Sequence, residues 1–405
     1  MLTRRQLLAL LPLTALPLEA QVRLFPRKPK PKPAPMPFVY IGTDTARAAA
    51  KGIYMSRFDL ATGHLTDPVL VAACVRPGWL AVNRRRGGGQ ARMFLYSVNE
   101  GLGADASVTS YQMNPATGAL SQIGQVSSGG DGPCYIGLDA EGHSAYVANY
   151  QGGSIATYLI QPDGSLSAPV DRVDFRVPRF GRHGPVAGRQ DGPHPHTAML
   201  SPDNRFLIVT DLGNDDIDTF PVNTETAMLG TPRVMDSRFD GIGPRHLAFH
   251  PNGRWLYGID ELANRIDQYL WNSTRSSSGV EAEAILTDTG HSVSTLDPGF
   301  HGTNTAAEIA VAPTGGFVYG SNRGENTLVV FSVDVLNGNL TFVQRISCGG
   351  KTPRHFTLDP SGKWLVCGNQ DSASVTVFKV DTGSGKLSGP VQTLPIESPM
   401  FTLFA

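Results

Sequence analysis

GPRHLAFHPNGRWLYGIDELANRIDQYLW, residues 243–271, holds three short apolar runs separated by turn residues. Gly243-Pro244 and a basic pair, Arg245 and His246, open the first run; Pro251-Asn252-Gly253 separates it from a second that ends in Asp260-Glu261. Asn-Gly between two alternating runs is a strong short-range signal for a β-hairpin. In a hairpin the start of the first strand lies beside the end of the second, so Arg245 and His246 share one sheet edge with Glu261.

The pattern recurs. Its second run reads LYSVNE at 95–100, AYVANY at 145–150, LIVTDL at 207–212, LYGIDE at 256–261, VYGSNR at 318–323 and LVCGNQ at 365–370. Each places Asn or Asp before one variable residue, at a spacing of roughly 50–60 residues. A third run and another hairpin turn follow, and a partial unit starts at Val39-Tyr40-Ile41-Gly42. Arg84-Arg85-Arg86-Gly87-Gly88-Gly89 breaks the pattern and reads as a loose insertion. No long segment carries a helical period. These features predict an all-β, seven-bladed β-propeller of four-stranded antiparallel blades, the ring closed by a blade built from N- and C-terminal segments. A pair of sandwiches would not explain the Asn/Asp series.

With charged residues at 17% and a formal net charge of -1, the 405-residue chain has no global basic field, which argues against nucleic acid or membrane surfaces as partners. Residues 1–20, MLTRRQLLALLPLTALPLEA, place an Arg pair before an apolar run too short to span a bilayer. This looks like a twin-arginine export signal, the alternative being an ordinary basic start to a cytosolic chain. Residues 21–37 form a Lys/Pro-rich tether and 38–405 the propeller domain. The expectation is export by the twin-arginine machinery to a periplasmic or secreted location, with no stable membrane domain afterwards. Cys74, Cys134, Cys348 and Cys367 lack CxxC spacing, so zinc is unsupported, while disulfides and buried free thiols both stay open.

In a propeller the first strand of each blade lines the channel, and its start meets the end of the second strand at one channel mouth. This geometry delivers Trp79 with Glu100; Cys134 and Tyr135 with Asn149 and Tyr150; His194 and His196 with Asp211; Arg245 and His246 with Glu261; Glu308 with Arg323; and Arg354 and His355 with Gln370. Strand-end Asn and Asp commonly tie down the neighbouring turn. The position after them does not repeat, so one structural duty cannot account for Glu261 or Arg323. His194 and His196 alternate on a strand and could hold a metal, but no third ligand stands at comparable spacing. General base catalysis suits a histidine better, against the structural alternative of an imidazole bonded to a loop carbonyl. No metal or cofactor is expected.

Tyr40-Ile41-Gly42-Thr43, Lys51-Gly52-Ile53-Tyr54, the run 189–196 (RQDGPHPH), Gly243-Pro244-Arg245-His246, the run 304–309 (NTAAEI) and the run 349–354 (GGKTPR) together resemble the seven-bladed propeller lactonases. That family includes propeller-type 6-phosphogluconolactonase and carboxy-cis,cis-muconate cyclase. The resemblance implies a catalytic His, two Arg and a Glu, matched here by His196, Arg245, Glu261 and Arg323, with His194 the competing histidine. Tyr150, His194, His246, Glu308, Arg354 and Gln370 are expected to bind the substrate, a small lactone or anionic sugar acid. His196 would activate water, the arginines would stabilise the oxyanion or hold an anionic group, and Glu261 would orient them or act as acid. No Gly-x-Ser-x-Gly elbow suggests a serine nucleophile. The alternatives are a carboxymuconate-type cyclase on the same groups and a non-catalytic exported binding propeller.

Overall fold

A computed structural model describes residues 36–405 except 48, 88–89, 181–182 and 274–283. The expected signal, and nearly all of the tether, lie outside the described residues. Among the described residues no helix is long and apolar enough to cross a membrane.

Seven antiparallel sheets follow one another along the chain. In the blade quoted first, Pro244–Phe249 is innermost, followed outward by Trp255–Asp260, Arg265–Ser273 and Ala284–Ser294. Inner strands of successive sheets touch one another around the ring. The seventh sheet closes it: the C-terminal strand Pro399–Phe404 pairs with Phe38–Thr43, which pairs with Gly52–Asp59 and, through it, Val69–Ala73. Closure leaves no inner strand with an unpaired edge open to another chain.

Side chains alternate along a strand, and here both faces are covered by neighbours. Tyr257 and Ile259 pack with Val318, Val329 and Phe331 of the following blade, whereas Leu256 packs with Phe206 and Ile208 of the preceding one. Every residue of Trp255–Asp260 is buried in consequence. A second device fixes the blades. Tyr40, Tyr96, Tyr257 and Tyr319 each donate their phenol to a carbonyl in a hairpin turn of the following blade, at Gly118, Gly164, Gly338 and Gly385, over 2.6 to 3.0 Å. Gly338 has φ +79, and a Cβ there would run into the Trp255 ring.

Of the stretch 84–89, expected as a loose insertion, residues 88–89 lie outside the described residues and 84–87 are strand. Pro77–Gly87 and Gln90–Asn99 remain paired as far as Gly87 and Gln90, so the residues prolong a hairpin. The four cysteines are free thiols, with Cys134, Cys348 and Cys367 buried.

Candidate active site

Six of the seven inner strands begin with proline: Pro77, Pro133, Pro195, Pro244, Pro353 and Pro399. Proline has no N–H to give the ladder, and in each blade the pairing slips directly after it. One residue is left without a partner, namely Gly78, Cys134, His196, Arg245, Arg354 or Met400. In the seventh, Thr305–Val311, the slip falls between Ala306 and Ile309 and takes in Ala307 and Glu308. Such bulges re-aim side chains. All six single bulge residues line one chamber of about 10 Å³, together with Trp79, His246 and His355.

Above the chamber opens a cleft of about 360 Å³. Cys134, His196 and Arg354 reach it from the bulges; Glu100, Tyr150, Glu261 and Arg323 from the ends of second strands; Arg76 and Arg189 from loops ahead of inner strands. The backbone sets the second-strand positions: Glu100, Tyr150 and Glu261 each donate their N–H to the carbonyl just before the proline, at Arg76, Gly132 and Gly243.

Glu261 organises one wall. Its Oε2 lies 2.8 Å from Arg323 Nη2 and 2.9 Å from Arg245 Nε, although that N–H is not aimed at the oxygen. Its Oε1 meets Arg189. Burial alone would raise the carboxyl's pKa, but Arg323, Arg245, His196 and Arg189 outweigh it and hold the group below the usual carboxylate range. Burial is the main cause that lowers Arg245 to about 10, with Arg323 adding to it. Arg323 is steadied by the Ala306 carbonyl at 3.0 Å, and the Arg245 carbonyl accepts from Thr197 and Thr210 at 2.8 and 2.7 Å.

Glu100 organises the opposite wall, 3.1 Å from Arg354 Nη2 and 3.4 Å from Arg76 Nη2. Gly78 leaves room for this carboxylate, since a Cβ there would collide with it. His196 stands between, edge-on to Tyr150 at 5.5 Å and to His246 at 4.8 Å. Its Nδ1 is buried with no partner among the described residues. Burial, and next the charge of Arg245, hold its imidazole well below the usual histidine pKa, so it is neutral at pH 7.

Of the residues expected from sequence, His196, Glu261, Arg323, Arg354 and Tyr150 line the cleft. Arg245 lies under Glu261 in the floor, its side chain 2% exposed. His246 and Glu308 are not cleft residues: both are buried deeper, 3.0 Å apart, His246 directly after one register slip and Glu308 within another. His194 does not reach the cleft either, since its ring stacks on Tyr150 and its Nδ1 bonds the Tyr150 carbonyl at 2.8 Å. Gln370 is turned to Asp44, 3.4 Å away. The strand-end Asn and Asp are structural ties: Asn99 donates to Ser107 and Thr109, and Asp211 accepts from the N–H groups of His194, Gly213 and Asn214.

Arg76 and Arg189 were missed as site residues. Arg189 stands inside the run 189–196 without a periodic strand to mark its direction. Arg76 had a usable signal: it precedes Pro77 where Gly132 and Gly243 precede Pro133 and Pro244, and it adopts φ +35, a backbone region glycine tolerates best. An arginine there is strained, which marks the position for inspection.

Fold and cleft define a propeller with an arginine-rich cluster of ionisable side chains at the channel mouth. The chain belongs to the seven-bladed β-propeller lactonase family, whose profile matches residues 38–404. It is 30% identical over 364 residues to 6-phosphogluconolactonase of Bacillus subtilis, covering 90% of this chain and 97% of the relative. A protein of the same name from Formosa agariphila is 29% identical over 364 residues, covering 88% and 95%. Among solved structures, the periplasmic gluconolactonase of Pseudomonas aeruginosa superposes with a TM-score of 0.76 at 30% identity, over 91% of this chain and 99% of that one.

Proposed function

We propose that this chain is a lactonase that hydrolyses a sugar lactone at the channel mouth with its own acid/base groups. The observation that carries this reading is the cleft itself, where neutral His196 faces Arg323 and Arg354, with Glu261 held ionised by its arginines. His196 takes a proton from water as the oxygen attacks the lactone carbonyl. Arg323 and Arg354 stabilise the oxyanion that forms, their charge worth more at largely buried positions than in bulk water. The ring C–O bond then breaks, and the departing alkoxide takes the proton from His196. A histidine of depressed basicity suits that second step, because its imidazolium is a strong acid. Glu261, ionised and shared among three guanidinium groups, orients them and does not donate a proton.

Export deepens the reading. The Arg4-Arg5 pair ahead of a short apolar run, and the likeness to the periplasmic gluconolactonase of Pseudomonas aeruginosa, support a periplasmic setting reached through the twin-arginine machinery. A lactone found there is the candidate substrate, gluconolactone before its 6-phosphate.

The test is a panel of gluconolactone, its 6-phosphate and carboxymuconolactone offered to the purified protein and to His196→Ala. Hydrolysis of a sugar lactone should fall by about 10²–10⁴ in kcat in the variant, the usual contribution of a positioned acid/base group. Turnover equal in the two proteins, or confined to the muconolactone, overturns the assignment.

A further inference from the structure

A second cavity, a groove of about 400 Å³, shares two chain segments with the cleft and is not used by the proposed reaction. The first is the crossing from Val69–Ala73, an outer strand of the closing blade, to Pro77–Gly87, the innermost strand of the next. Along it Val75 lines the groove and Arg76 the cleft, their Cα atoms about 3.8 Å apart. The second segment leaves Gln90–Asn99: Glu100 lines the cleft and Gly103 the groove. Arg76 Nη1 donates to the Glu100 carbonyl and the Glu100 N–H to the Arg76 carbonyl, each over 2.9 Å, which ties the two segments into one ridge between the cavities. Arg76, with its φ of +35, is a strained residue at that junction, as is common where a ligand is clamped.

The two cavities differ in charge. Four arginines line the cleft, whereas among the described residues no arginine or lysine lines the groove. There apolar Val75, Ala104 and Val126 stand beside polar Asp105, Ser107 and Gln125. Val75 is 44% exposed, apolar surface left in water until a ligand covers it. The polar groups are held in place: Ser107 Oγ accepts from Asn99 at 2.9 Å and from Gln125 Nε2 at 2.8 Å, and the Gly103 N–H donates to Asp131 at 2.8 Å. A hexose matches this lining, with C–H faces for the aliphatic side chains and hydroxyls that donate to a carboxylate or pair with an amide. An anion does not, because Asp105 would repel it.

We propose that the groove is a subsite for a neutral sugar unit attached to the lactone, so that the substrate is the lactone of an oligosaccharide aldonic acid. The lactone ring lies in the cleft among the arginines, and the next sugar reaches over the Arg76–Glu100 ridge into the groove. Cavities of about 360 and 400 Å³ each fall within the range of small-molecule sites, about 300–1,000 Å³, and a single-sugar lactone fills only the first.

This substrate class rests on the lactonase reading, so binding is measured apart from turnover. Calorimetric titration compares gluconate with its O4- and O6-glucosylated forms, cellobionate and gentiobionate. Wild type should bind at least one glucosylated acid about tenfold more tightly than gluconate. Ala104→Trp, which sets an indole at an exposed residue of the lining, should erase that preference, and Gln125→Ala, which only removes side-chain atoms, should narrow it. Where the corresponding lactones are turned over, kcat/KM should favour the same glucosylated form about tenfold in wild type and not in Ala104→Trp. No preference for either glucosylated acid in wild type, or a preference that survives both substitutions, overturns the subsite. A preference in binding without turnover of any lactone keeps the subsite and overturns the lactonase reading alone.

Discussion

Replacing Glu261 by Gln removes one negative charge from among three guanidinium groups, one of them fully buried. Arg245 is 2% exposed and Arg323 14%, so both stay largely desolvated when their partner is neutralised. Breaking a buried ion pair by removing one partner costs about 3–5 kcal/mol, because the other charge stays desolvated and unpaired. With an unfolding entropy of about 2.1 cal/mol/K per residue, that lowers the melting temperature by about 4–6 °C in a domain this long. Differential scanning calorimetry at neutral pH reads the shift. The sign with pH is fixed as well. Glu261 has its folded pKa depressed, so its contribution is complete above the ordinary carboxylate value and is lost as pH falls below about 4.3. The gap between wild type and variant should close on acidification. Adding Arg323→Met to Glu261→Gln removes one stranded charge and should restore part of the loss, a coupling a double-mutant cycle isolates. A single variant that melts within about 1 °C of wild type, or a double variant that melts lower still, refutes the account of Glu261 as the counter-charge of this wall.

Gly78→Ala should displace Glu100 from Arg354, since the added methyl occupies the space of the carboxylate; KM for the lactone should rise while far-ultraviolet circular dichroism stays unchanged. Glu308 gives the opposite pH sign to Glu261. Its folded pKa is raised to about 8, so its contribution to stability is full below about 4.3 and lost as pH rises to about 8; wild type should lose melting temperature relative to Glu308→Gln across that window in a pH series.

The ring was legible because each blade repeats two local signals that physics ties to structure: a turn residue before the second strand, and an Asn or Asp at its end whose side chain satisfies turn N–H groups, as Asp211 does for three of them. The pairing of Arg245 with Glu261 was legible for the same reason, as hairpin ends must meet. Depth was not. Period-two alternation tells which face a residue occupies, but the slip after Pro244 depends on a missing N–H and on the partner strand, and it decides that Arg245 lies in the floor while Arg323 reaches the cleft. Arg189 was opaque on other grounds. Its loop is held by Gln190, bonded to the Leu212 carbonyl at 2.9 Å and to Asp215 at 2.7 Å, contacts that no strand periodicity announces.

The slips after the inner-strand prolines separate two tasks that most sheet positions must combine. A residue inside a ladder has its orientation dictated by its neighbours, and exchanging it disturbs pairing. The bulged stations carry no cross-strand partner, so each of the seven blades holds a socket whose occupant can be swapped while the frame stays put. Gly78, Cys134, Ala307 and Met400 bring no histidine, arginine or carboxyl group here, beside His196, Arg245, Glu308 and Arg354. Diversification of such a scaffold can therefore proceed socket by socket, and a library restricted to those positions would vary chemistry on a frame already built.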